Sequence, residues 1–160
     1  MVQDMLIQTA EIIEGDLRNM GCGVVDNNQT ITEARDTCIT FLMAERPERT
    51  SVVVPTTYRT DDLEPATANP NDRWLLRIRG ANTERIGLVT QFNLRYISKF
   101  GEVLDTPPNT QLSVDDLRIV KTIEITLEVQ SPYIVIYDPD ERYASALWKQ
   151  TRLASQNLLR

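Results

Sequence analysis

The sequence predicts an α+β fold in which an amino-terminal amphipathic helix packs on an antiparallel β-sheet. Apolar residues near the start recur at helical spacing, most of the later segments alternate with period two, and polar, proline-bearing stretches separate those segments. The 160 residues suit a single domain spanning 1–160, with the helix over 1–21 and strands and loops filling most of 37–160.

The opening helix is carried by Leu6, Ala10, Ile13, Leu17 and Met20, which fall on one face at steps of four and three, with Asp4, Gln8, Glu11 and Arg18 opposite. Val2, Met5 and Ile12 widen the apolar stripe. Gly21 and Gly23 supply the left-handed backbone that closes a helix cheaply. The start has no matching signal, because Met1 to Gln3 contain no capping residue and Asp4 comes one turn late.

Strands are predicted at Thr37 to Ala44 and Ser51 to Tyr58, both rich in branched and aromatic residues. In RWLLRIR, Trp74, Leu76 and Ile78 alternate with Arg73, Arg77 and Arg79. In QFNLRYI, Phe92, Leu94 and Tyr96 alternate with Asn93 and Arg95. Both read as strands with basic outer faces. The longest alternation is Leu117 to Val129, which places Ile123, Ile125 and Leu127 on a buried face and Glu124 and Thr126 on a wet one. The arginines find their simplest partners in Glu124 and Glu128 across neighbouring strands. Loops are predicted at Asp61 to Asp72, at Leu104 to Ser113 with its Pro107-Pro108 pair, and around Tyr137 to Glu141. The carboxy-terminal ERYASALWKQTRLASQNLLR leans toward helix on propensity alone.

Charge and chemistry narrow the function. A formal net charge of −6 disfavours nucleic acid and anionic membrane surfaces, which need a basic patch. Histidine is absent, which removes imidazole bases, His-activated nucleophiles and His-containing zinc sites. No phosphate-binding glycine loop or nucleophile elbow is present, so a non-catalytic chain without cofactors is expected. The acidic loops at Asp61 to Asp72 and Tyr137 to Glu141 supply oxygens for calcium, but without EF-hand spacing, and solvated loops share that composition. Cys22 and Cys38 are either a disulfide in an oxidising compartment or two half-buried small hydrophobes, and spacing does not decide between them.

A helix ending in DLRNMGCGV is followed by a VTQFNLRYISKFGEVL unit, an IVKTIEITLEVQSP strand and a terminal SQNLLR. That order of parts resembles the large minor pilins and pseudopilins, the PilW-like components of type IV pili and the J-type pseudopilin of type II secretion. Asp16, Leu17, Arg18 and Gly21 stand at the family's helix exit, and Asn93 to Tyr96 with Gly101 at its middle motif. Ile119 to Ser131 matches its late strand, while Gln156-Asn157-Leu158 replaces its closing Arg-Asn-Leu.

The resemblance implies a filament subunit near a tip, partnered by other pilin subunits, located in the periplasm or at the cell surface. It also implies that the helix continues upstream into an apolar segment that anchors the chain in the inner membrane, which accounts for the uncapped start. Val2 and Met5 then form a candidate assembly face. It further implies a strand over Ser145 to Leu158 against the local helix preference. The alternative is a stand-alone binding or adaptor module of a phage or other assembly, with a helix that begins at Met1.

Overall fold

A computed structural model describes residues 2–46, 52–63, 69–104, 106–134 and 143–153. The first element is helix α1, Val2–Arg18. Its stripe of Leu6, Ala10, Ile13, Leu17 and Met20 is buried, while Asp4, Gln8, Glu11 and Arg18 are exposed. Ile12 departs from expectation and turns outward, at 38% exposure. Gly21 and Gly23 adopt φ of 83° and 79° and stop the helix. The exiting chain is then stitched to a strand end, as Gly21 N donates to Leu42 O and Ala44 N to Cys22 O, each at 2.8 Å.

Nine strands follow in the described residues, all paired antiparallel. The first five are β1 (Ile31–Ala34), β2 (Cys38–Ala44), β3 (Val53–Leu63), β4 (Arg73–Arg79) and β5 (Asn82–Val89), which lie in chain order in one sheet. Then come β6 (Gln91–Ser98), β7 (Val103–Leu104), helix α2 (Val114–Ile119), β8 (Val120–Ile134) and β9 (Tyr143–Leu153). The second sheet has the order β7-β6-β8-β9. Only Thr90 separates β5 from β6, and its N–H donates to Glu128 O at 2.9 Å, which holds the junction of the sheets in place.

Several boundaries differ from the sequence reading. Asp61 and Asp62 continue β3 instead of opening a loop. The start of the predicted Leu117 to Val129 strand is helical, because Ser113 caps α2 by accepting from Asp116 N at 3.2 Å, and Asp115 and Asp116 favour a helix amino terminus. The tail is extended: β9 pairs with β8 through Trp148↔Leu127 and Lys149↔Thr126, so pairing outweighs the helix preference of the segment. Residues 154–158 of that expected strand lie outside the described residues.

The two sheets share a core. Ile123, Ile125 and Leu127 are 0% exposed, and their register partners Tyr96, Leu94 and Phe92 are buried beside them, with Glu124 and Thr126 on the other face. Ile39, Phe41, Tyr58 and Leu75 of the first sheet belong to the same cluster as the apolar stripe of α1. Tyr96 links the sheets by donating to Arg35 O at 2.7 Å. On the wet face Arg95 pairs with Glu124 at 3.1 Å, one of the expected cross-strand ion pairs.

One close approach sets the height of α1 over β5. A Cβ at Gly87 would fall well inside van der Waals contact of Thr9 Oγ1, while Thr9 Cβ would remain at 3.5 Å. Thr9 cannot easily swing away, since its hydroxyl donates to Met5 O at 2.9 Å. Gly87→Ala should therefore destabilise the domain by about 1–3 kcal/mol in chemical denaturation, as overpacking does. In a Thr9→Ala background most of that loss should vanish, and additive effects in the double-mutant cycle would show that the two residues do not touch.

Candidate assembly surface on the amino-terminal helix

The most distinctive local chemistry lies where the last turn of α1 meets β3 and β4. Asp16 occupies the apolar stripe between Ile13 and Leu17 and is 8% exposed. A carboxylate there is costly unless it is paired and hydrogen-bonded. Arg77 meets it with both arms of its fork: Nε donates to Oδ2 at 2.7 Å and Nη2 to Oδ1 at 2.8 Å. Tyr58 Oη donates to Oδ2 at 2.5 Å.

Arg77 and Tyr58 are direct register partners across β3 and β4, so their side chains share the sheet face that looks at the helix. This corrects the expected facing of β4. Arg77 and Arg79 turn toward α1, whereas Trp74, Leu76 and Ile78 occupy the opposite face, where the Arg85 guanidinium sits 5.2 Å over the Trp74 ring. Glu84, the register partner of Arg77 on β5, adds a second carboxylate at 3.5 Å. Burial pushes the Tyr58 hydroxyl well above the usual tyrosine range, reinforced by the Asp16 charge and by the bond it donates. Burial works against the charged Arg77 guanidinium, but its bonds to Asp16 and the neighbouring charges outweigh that and leave its pKa raised.

Beside this junction runs a shallow groove whose lining includes Ile12, Gly15, Asn19, Met43 and Arg79. Arg79 closes its end by donating from Nη2 to Glu45 O at 2.7 Å. Among the described side chains of α1, the exposed large apolar ones are Ile7, 53% exposed, and Ile12. Met5 of the expected assembly face is half-buried against the core, and the Val2 side chain lies outside the described residues. The structure thus adds Ile7 and Ile12 as outward residues. Ile7 falls outside the heptad-like spacing of the buried stripe, so the apolar period does not mark it.

The cysteines do not meet. Both are free, with Cys22 hydrogen-bonded beside Ala44 at one end of β2 and Cys38 opening the other. That puts them on the order of 15–20 Å apart at the strand rise of about 3.3 Å per residue, against a Cα separation below about 7 Å for a disulfide. Burial pushes the Cys38 thiol up to about 11, which keeps it protonated at neutral pH. Among the described residues no three carboxylates or thiols gather as metal ligands, and the loop around Tyr137 to Glu141 falls outside them. No described helix is long and apolar enough to cross a membrane.

One helix laid over consecutive antiparallel sheets defines the class by its fold, that of a pilin-like α+β domain. A solved structure similar to this chain is a type IV-like pilin from Thermus thermophilus, with a TM-score of 0.59 and 14% sequence identity, covering 99% of this chain and 97% of that one. No protein-family model and no curated protein matches the sequence.

Removing the Asp16 carboxylate by Asp16→Ala leaves a largely buried guanidinium with only the more distant Glu84, and the domain should lose roughly 3 kcal/mol in chemical denaturation. The Tyr58 hydroxyl gives a separate, pH-dependent signature. Because its folded pKa is raised, its contribution is fully present below the unfolded tyrosine value of about 10 and is lost as pH climbs beyond it. Between pH 10 and 11.5 the parent should lose stability faster than Tyr58→Phe, by up to about 1.4 kcal/mol per pH unit. Parallel stability curves would remove Tyr58 from the junction.

Proposed function

We propose that this chain is the globular head of a non-catalytic filament subunit, a minor pilin or pseudopilin of a type IV pilus or type II secretion filament, placed toward the tip. The observation that carries the reading is the agreement of fold with a type IV-like pilin over nearly the full length of both chains. In this reading α1 continues upstream as an apolar anchor, and the head is held on the periplasmic or outer side of the membrane. The helix packs on the sheet through its buried stripe and the Asp16 junction. Its outer ridge, with Ile7 and Ile12, faces other pilin subunits, as outward apolar residues on a firmly docked helix suit a packing surface.

The test is to express the chain from its own reading frame in its source organism, with an epitope tag inserted at the exposed Gly80–Ala81 turn between β4 and β5. The tag is expected in the cell envelope and in appendages released by shearing, visible by immunogold labelling. Ile7→Glu with Ile12→Glu should cut the incorporated fraction at least roughly fivefold, a loss of about 1 kcal/mol of association. The melting temperature of the purified domain should hold. Recovery of the tagged chain solely in the cytosol would overturn the reading.

A further inference from the structure

At the end of the first sheet away from the Asp16 junction, the two sheets part and leave a cleft of about 340 Å³. Its size lies within the roughly 300–1,000 Å³ of small-ligand sites. Thr37, Thr60, Arg73, Gln91, Asn93 and Asn109 line it, over the buried Val89 and Phe92. Thr37 and Thr60 are brought face to face by continuation of the Cys38↔Arg59 register, and Arg73 stands on the same inner row of β4 as Leu75.

The composition of this lining is selective. Hydroxyl and carboxamide groups both donate and accept hydrogen bonds, so they suit a ligand whose own groups do both. A seventh polar residue of the lining, Thr90, donates its hydroxyl to Glu128 Oε1 at 2.6 Å, whereas the other six side chains make no hydrogen bond or ion pair among the described residues, so their capacity is unspent. Among the described residues no carboxylate lines the cleft, which disfavours a cation, and Arg73 is the one fixed charge. Apolar lining is confined to side chains that are themselves 1% and 3% exposed, so there is no pocket for an aromatic or aliphatic anchor of a protein partner. Vicinal hydroxyls beside a single carboxylate match this set.

We propose that the cleft is a carbohydrate-binding site for an acidic sugar, with Arg73 receiving the carboxylate and the threonine and amide groups the ring hydroxyls. The proposal stands independently of the filament reading, since it rests on the junction of the sheets and not on α1.

The test is a titration of the purified chain followed by amide chemical shifts, using trigalacturonate as the probe. Maltotriose offers hydroxyls without charge, and N-acetyl-trialanine offers a carboxylate without hydroxyls. Trigalacturonate should shift amides at Thr37, Thr60, Arg73 and Val89 to Asn93 in a saturable manner. Maltotriose should act at the same amides but more weakly, and the peptide should not act there. Arg73→Gln should weaken the acidic sugar roughly tenfold, the scale of a lost charge-assisted hydrogen bond, and leave maltotriose unchanged. Thr60→Val, nearly isosteric, should weaken both sugars. Arg73 is exposed and Thr60 half-buried, so retained dispersion of the core amides checks that both variants are folded. The proposal is overturned by shifts that do not saturate, by shifts scattered over other faces, by equal response to the peptide, or by folded variants that bind as the parent does.

Discussion

The position of the helix depends on one carboxylate. Asp16 sits within an apolar stripe, and its two oxygens are taken by Arg77 and Tyr58. Without those donors the site would be among the least favourable in the molecule for a charge. Because Arg77 and Tyr58 are register partners, a one-residue slip between β3 and β4 would turn one of them to the far face and leave the carboxylate unmatched. Strand register and helix placement are thereby tied together: the apolar stripe alone would tolerate sliding along the sheet, and the bidentate pair does not.

Two further contacts fix the remaining freedoms of α1. Thr9 over Gly87 limits how close the helix comes at β5, and the bond from Gly21 N to Leu42 O fixes its exit at β2. The helix therefore crosses the first sheet from β5 toward β2, while its buried residues also join the core made with β6 and β8. A helix held at its middle, in its last turn and at its exit presents its remaining face there as a stable ridge. Under the filament role proposed above, such a ridge would keep contacts between copies reproducible along an assembly.

Much of this was legible in the sequence, and the exceptions share causes. The α1 stripe, the glycine exit and the alternation through Ile123, Ile125 and Leu127 were readable because each element buries one face and the period shows it. β1 and β5 were not, since β1 has only four residues and the first half of β5, Asn82 to Arg85, is exposed and carries no alternation. The start of α2 carries a local signal, a serine followed three residues later by an acid ahead of Leu117, but the longer alternation downstream of it masks that signal. The tail is the reverse case, where local propensity pointed to helix and pairing with β8 decided otherwise. The polar cleft had no sequence signal, as its lining comes from five separate places in the chain that only the fold assembles.

The facing of β4 shows why period alone is insufficient. In RWLLRIR both alternations contain a leucine, and the one with Trp74, Leu76 and Ile78 is the more apolar, so transfer energy favours burying it. The opposite row is the inner one, because that face has a buried acid to answer. Asp16 was visible in the sequence as the one charge inside the apolar stripe of α1, and a buried charge calls for a counter-charge on whatever packs against it. Once Arg77 faces inward, the strand's period of two carries Arg73, Leu75 and Arg79 with it. A single row then reaches the cleft at Arg73, the core at Leu75, the helix at Arg77 and the groove beside Ile12 at Arg79. The acid in the helix thus selects the face of a strand remote in sequence, and through it the placement of every other cation on that row.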